Sequence, residues 1–297
     1  MNIIVHRGSN QIGGSCIEVF TEKTRIILDI GQELPSLDPI ADRKISIPPK
    51  VQGLYLGEEK TIDAILVSHG HGDHIGLIGD INREIPVYIG KMAADIFEVT
   101  SKFTGGVAIA SPFKYLESGV KFHVGDFKIT PYLVDHSGFD AYAFLIESHN
   151  KAIVYTGDFR GHGRKVKATD YFINHIPKGI DGLFIEGTMM SRVGERIKTE
   201  EEIEKKVYKL MKETQGPLFV LQSSTNIDRL VSMYRAAKKS GRIFIMDVFT
   251  AHIVSKLNSS IPNPKTFKDV WVFYPYWLNK RMCKSFEGAK LMNEFSS

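Results

Sequence analysis

Ser68-His69-Gly70-His71-Gly72-Asp73-His74 puts three imidazoles and a carboxylate within six positions. It follows Ala64-Ile65-Leu66-Val67, an apolar run that reads as a buried strand. Borderline divalent metals such as zinc take imidazole nitrogen and carboxylate oxygen, and catalytic sites leave a coordination position open. His69 and His71 are two apart, so on an extended strand end they point the same way. Asp73 and His74 come after Gly72, which lets the loop turn and aims them at a second point. The segment reads as a site for two metals side by side. A lone histidine in a loop is usually a solvated or hydrogen-bonded side chain. Three of them with an aspartate, straight after an apolar strand, are hard to obtain by chance.

His-x-His-x-Asp-His resembles the signature of the metallo-β-lactamase superfamily of metal-dependent hydrolases. Asp29 ends the strand Arg25-Ile26-Ile27-Leu28 ahead of Gly31, like that family's early strand-end aspartate. His136, in Val134-Asp135-His136-Ser137-Gly138, is similar to the next metal ligand. Asp158, in Val154-Tyr155-Thr156-Gly157-Asp158, is similar to the carboxylate that bridges the metals. Asp135-His136-Ser137 and Tyr155-Thr156-Gly157-Asp158-Phe159-Arg160 resemble the RNA-processing branch rather than the β-lactam hydrolases. Glu186, in Phe184-Ile185-Glu186-Gly187-Thr188, matches the first acidic motif of the ribonuclease J-like β-CASP nucleases. Ser223-Ser224-Thr225-Asn226-Ile227-Asp228-Arg229, with Ala236 to Arg242 after it, resembles the start of their inserted domain. The resemblance implies an α/β chain. Residues 1–195 would form an incomplete metallo-β-lactamase αββα sandwich, and residues 196–297 the beginning of an inserted parallel α/β (β-CASP-like) domain.

The composition permits this and demands none of it. A chain of 297 residues can bury a large core. Hydrophobic content of 43% and charged content of 24% are ordinary for a globular protein. A net charge of +4 agrees with a polyanionic substrate, though enzymes of other kinds are equally basic. Cys16 and Cys283 are the only cysteines, which excludes a disulfide framework and a Cys-rich zinc ribbon. A reducing cytoplasm is the simplest expectation. Met1 to His6 reads as an immediate strand, not a leader, and no run approaches the ~18 to 20 apolar residues of a membrane span.

Apolar patterning predicts strands at Asn2–His6, Cys16–Phe20, Arg25–Asp29, Ala64–Ser68, Val87–Ile89, Phe127–Tyr132, Ala143–Glu147, Ala152–Thr156 and Gly182–Glu186. Residues 33–59 and 189–197 read as loops, and Met92–Thr100 as a helix. Thr199 and Glu202 form a capping box. The helix it opens is predicted to bury Ile203, Val207, Leu210 and Met211, with Gly216 as its stop. From Pro217 the pattern becomes β-α-β, with strands at Leu218–Gln222 and Ile243–Asp247 around a helix at Ile227–Ser240, which predicts a parallel unit. The turn before that helix offers a helix N-terminus to phosphate, with Ser223, Ser224, Asn226 and Arg229 as candidate contacts. An ordinary N-cap uses the same residue types.

The resemblance then implies a site. His69, His71 and His136 would hold one metal, Asp73 and His74 the second, and Asp158 would bridge. A hydroxide held between two cations would attack phosphorus. The cations are expected to be zinc, with manganese an alternative that suits the same donors. Asp29 and Glu186 would accept the other N–H of ligand imidazoles. His6, His123, His149 and His175 have no expected role, while His162 and His252 stay open. The implied partner is RNA or single-stranded DNA, with no membrane; a homodimer is one possible assembly. Endonuclease and exonuclease action are both compatible with these motifs. The family's later histidine motifs are missing, since no histidine follows His252. The expectation is therefore a truncated nuclease lacking part of its machinery. Two other readings stand beside it: a small-molecule ester or thioester hydrolase of the same fold, and a non-catalytic RNA-binding protein.

Overall fold

Short apolar strands build two sheets that face each other. The computed structural model describes residues 1–34, 47–106, 111–190, 194–257 and 260–295. Parts of the two predicted loops, 35–46 and 191–193, lie outside the described residues. The chain divides into two compact units. The first comprises Met1–Ala94, Ile109–Gly161 and Lys165–Glu195; the second comprises Asp95–Ala108, His162–Arg164 and Arg196–Ser297.

In the first unit, β1 (Asn2–Arg7), β2 (Cys16–Phe20), β3 (Arg25–Leu28), β4 (Ala64–Leu66), β5 (Val87–Gly90) and β6 (Phe113–Leu116) form a six-stranded sheet in sequence order. The β1–β2 and β2–β3 pairs are antiparallel, and the later pairs are parallel. The second sheet takes β7 (Phe122–Val124), β8 (Phe127–Val134), β9 (Ala141–Ser148), β10 (Lys151–Tyr155) and β11 (Gly182–Phe184), ordered β11-β10-β9-β8-β7. Alternation sends Ile26 and Leu28 of the first sheet and Phe127, Ile129, Phe144 and Ile146 of the second into one shared core. Phe127 and Phe144 have no exposed surface. Burying each is worth about 1.5–3 kcal/mol. The opposite face of the second sheet, with Val134, Ala143 and Leu145, meets Phe172. That residue lies on α3 (Val166–His175), an outer helical layer of the sandwich. The helix α1 (Gly72–Ile75) is a single turn, and α2 (Lys91–Thr104) begins directly after β5 and belongs from Asp95 onward to the second unit.

The second unit holds α4 (Glu200–Glu213), α5 (Ile227–Lys239), β12 (Phe244–Asp247), α6 (Val248–Ser255), β13 (Val270–Phe273), α7 (Tyr276–Met282) and α8 (Phe286–Asn293). The capping box that opens α4 is present: Thr199 Oγ1 accepts from the Glu202 N–H at 3.2 Å, and the Glu202 carboxylate accepts from the Thr199 N–H at 2.9 Å. Met211 and Val207 meet Ala236, Ala237 and Phe244.

Three expectations need correction. The residues Leu218–Gln222 form no strand; Phe219 and Leu221 are fully exposed, and no strand pairs with the segment among the described residues. The parallel unit is instead β12-α6-β13, with Phe244 opposite Val270. Leu210 is exposed on α4, because that helix buries the narrower stripe running through Met211. The same helix ends at Glu213 with Thr214 as its cap, before Gly216. No described helix is long and apolar enough to cross a membrane.

Candidate metal centre

Strand ends bring the site together. β3 and β4 run parallel with Leu28 opposite Leu66, so Asp29 and the Ser68-His69 pair leave the sheet side by side. The single turn α1 then presents Asp73 and His74. β8 and β10 are each antiparallel to β9, so both run the same way and end at one edge. His136 follows the first of them and Asp158 the second. Gly72 opens α1, and a Cβ placed on it would meet nothing within 4 Å, so the turn does not depend on glycine there. Gly138 is different. A Cβ on it would stand 2.9 Å from His69 Cδ2 and 3.2 Å from His136 Cδ2.

The imidazoles converge. His71 Nδ1 lies 3.1 Å from His69 Nε2 and 3.2 Å from His136 Nε2. Three nitrogens around one tetrahedral zinc at ~2.0–2.1 Å would lie about 3.3 Å apart, so this donor set fits a single cation. A second group of possible ligands is His69, His74 and Asp158. Asp158 divides its oxygens, with Oδ1 3.3 Å from His74 Nε2 and Oδ2 3.9 Å from His136 Nε2. Asp73 stands outside both groups, its Oδ2 3.8 Å from His74 Nε2.

Charge sets His74 apart from the other three rings. Burial holds His69 well below the ordinary imidazole range, and the neighbouring His74, His136 and His71 push the same way. Burial first, then His71, brings His136 down to about 3. Burial also lowers His71, against the pull of Asp73. These three rings are neutral at pH 7 and offer lone pairs. Burial opposes charge on His74 too, but Asp29 and Asp158 outweigh it and raise its pKa well above the usual range. Burial would raise Asp158, yet its hydrogen bond and charge interaction with His74 bring it lower overall.

Asp29, fully buried, meets His74 Nδ1 at 2.7 Å. Glu186 does not reach an imidazole: its carboxylate accepts from the Phe159 N–H at 3.1 Å, one residue past Asp158. The predicted phosphate turn spends its groups within the chain. Asn226 caps α5 by accepting from the Arg229 N–H (3.1 Å), and Thr250 donates to Ser224 Oγ (2.8 Å). Ser223 and Thr225 share a hydrogen bond, and Arg229 pairs with Glu200 at 3.0 Å. Elsewhere, His6 bonds Glu18, His175 bonds the Tyr171 carbonyl, and buried His252 bonds the Leu291 carbonyl. Sequence reasoning missed Ser68, which donates from Oγ to Asp29 Oδ2 (2.8 Å) and lies 3.0 Å from His69 Nδ1. It also missed Tyr155 and Gly138. The only signal for Tyr155 was a phenol three residues before Asp158.

A cavity of about 500 Å³ opens where Asp73, His74 and Asp158 meet Gln11, Ser15 and Tyr155. A larger one, about 720 Å³, is lined by Pro48, Tyr55 and Asp80 with no imidazole. Of the candidate ligands, Asp73, His74 and Asp158 line the smaller one.

The family model described as "Beta-lactamase superfamily domain" matches residues 36–196. Ribonuclease J of Helicobacter pylori (strain ATCC 700392 / 26695) is 30% identical over 244 residues, covering 79% of this chain and 34% of that protein. An RNase J-like protein of Methanocaldococcus jannaschii is 30% identical over 198 residues, covering 62% of this chain and 41% of its own length. The chain thus spans about a third of the length of the Helicobacter relative. A crystal structure from Enterococcus faecalis V583, of a protein of unknown function, aligns with a TM-score of 0.74 at 23% identity. It covers 94% of this chain and 74% of that one, and shares the fold.

Proposed function

This chain belongs to the beta-lactamase superfamily, and on that footing we propose that it hydrolyses phosphodiester bonds in RNA with two divalent cations. One observation carries the reading: Asp158 turns one oxygen toward His74 and the other toward His136, at 3.3 and 3.9 Å. A carboxylate so divided suits two cations held side by side. His69, His71 and His136 would hold one. His74 and Asp158, with Asp73 beside them, would hold the other. Zinc suits these donors, and manganese is the alternative. The cations, when bound, supply Lewis acidity and activated water at neutral pH.

The residues supply the rest. The neutral rings of His69, His71 and His136 present lone pairs without first losing a proton. Asp29 fixes the His74 ring through Nδ1, which leaves Nε2 facing Asp158. Glu186 accepts from the Phe159 backbone and so steadies the loop that carries Asp158. The cavity beside Asp73 and His74 gives a substrate phosphate access to this edge. RNA is the proposed substrate because the curated relatives named above are a ribonuclease J and an RNase J-like protein.

The test is cleavage of a 5′-labelled single-stranded RNA by this chain with zinc or manganese, beside Asp158→Ala and a chelator control. We expect metal-dependent fragments from the wild type, and loss of them to the chelator level in the variant. A metal-loaded wild type that leaves RNA intact while turning over a small thioester would place the protein among the small-molecule hydrolases.

A further inference from the structure

Asp29 has no exposed surface and sits at φ +58°, a conformation the surrounding contacts must hold. It accepts from four donors. The Ser68 N–H donates to Oδ1 at 2.6 Å. Ser68 Oγ, His74 Nδ1 and the Tyr155 hydroxyl meet Oδ2 at 2.8, 2.7 and 2.5 Å. Three of these donors come from Ser68 and His74, around the end of β4. Tyr155 alone comes from the second sheet, where its ring is buried in the shared core.

We infer that Tyr155 is a positioning residue for the second cation, acting through Asp29 on His74. The two ligands peculiar to that group sit on different elements: His74 on α1, Asp158 three residues after Tyr155. The chain Tyr155–Asp29–His74 braces one against the other across both sheets. The phenol holds the carboxylate in place, the carboxylate holds the ring, and the ring keeps Nε2 3.3 Å from Asp158. His71 and His136 hydrogen-bond within their own cluster of rings, and His69 reaches Asp29 through the Ser68 hydroxyl, a link in which Tyr155 takes no part. Ser15 lines the same cavity wall as Tyr155, close enough to act on its phenol, and carries the brace toward the surface. The inference rests on the two-cation reading above.

The test is stepwise cobalt(II) titration, followed by absorption and calorimetry, of the wild type, Tyr155→Phe and Tyr132→Phe. Tyr155→Phe keeps the buried ring and removes only the hydroxyl. We expect the second cobalt to bind at least about tenfold more weakly in Tyr155→Phe, in line with the 10–100-fold losses on removing a ligand's partner. The first cobalt should bind with unchanged affinity and spectrum, and Tyr132→Phe should match the wild type. Ser15→Ala, at a half-buried position, should weaken the same second step by a smaller factor, and it carries the test if Tyr155→Phe does not fold. Unchanged two-step binding in Tyr155→Phe, or equal weakening of both steps, overturns the inference while leaving the metal centre standing. A wild type that binds fewer than two cobalt ions removes the two-cation reading, and the inference with it.

Discussion

At the residue scale, the site depends on what is absent as much as on its ligands. Gly138 lets the backbone after β8 lie against two imidazoles, and a methyl group there would stand 2.9 Å from His69 Cδ2. Real side chains do not come that close, so the ring or the loop must move. Gly138→Ala should therefore weaken cation binding by His69, His71 and His136 on the order of tenfold, while Gly72→Ala, with open space around it, should not. Competition against a zinc chelator checks both, and equal affinities in the two variants would refute the steric account. The histidines and aspartates were legible because their types are chemically selective and four of them fall in one short motif. Ser68, Tyr155 and Gly138 were not. A hydroxyl or a glycine is ordinary in any loop, and Tyr155 meets its partner Asp29 across 126 positions of sequence. The same limit applied to Glu186. A carboxylate at a strand end announces a hydrogen bond, but not whether an imidazole or a backbone N–H supplies it.

At the element scale, local rules held where their interactions are local. The Thr199–Glu202 capping box needs only four consecutive residues, and its reciprocal hydrogen bonds are both present. Thr199→Ala should cost about 1 kcal/mol, the usual worth of such a cap. Urea denaturation monitored by circular dichroism reads the loss directly; a midpoint equal to the wild type would mean that α4 is held by its buried face alone. Most strands of the first unit were legible for a related reason, while β6 and β7, each with a single buried residue, were not. Runs such as Ala64-Ile65-Leu66 are buried on both faces, so apolar content marks them without reference to a partner. The residues Leu218–Gln222 have the same apolar content, but a strand is made by its neighbour's hydrogen bonds. Composition cannot say whether that neighbour comes alongside. The β12 strand pairs with β13, which lies further along the chain and whose Trp271 and Phe273 did not read as a strand. The end of the α4 face failed more narrowly: Leu210 fits the helical period and still points to solvent.

At the scale of the whole molecule, the proposed ligands all belong to the first unit, and their charges would couple cation binding to pH and to folding. Two effects run in opposite directions. His69, His71 and His136 have folded-state pKa values below the ordinary ~6.5 of imidazole, so their contribution to stability is present above that pH. It is lost as pH falls, over a window that for His136 extends down to about 3. His74 is raised, so its contribution is complete below ~6.5 and is lost as pH climbs through its folded value. A cation at the three neutral rings displaces no proton at pH 7. A cation at His74 must displace the proton that Asp29 and Asp158 hold there, so its affinity should rise with pH. Binding to the folded chain alone stabilises it by about 2.7 kcal/mol at a hundredfold excess over Kd. Thermal melting with zinc and with chelator should therefore show one stabilising step at both pH 6 and pH 8. A second step should grow between those pH values, and calorimetry in buffers of different ionisation enthalpy should find about one proton released with it. Equal gains at the two pH values, or no proton release, would mean that His74 is neutral before the cation arrives. The carboxylates around it would then be shaping the ring's direction alone and not its charge.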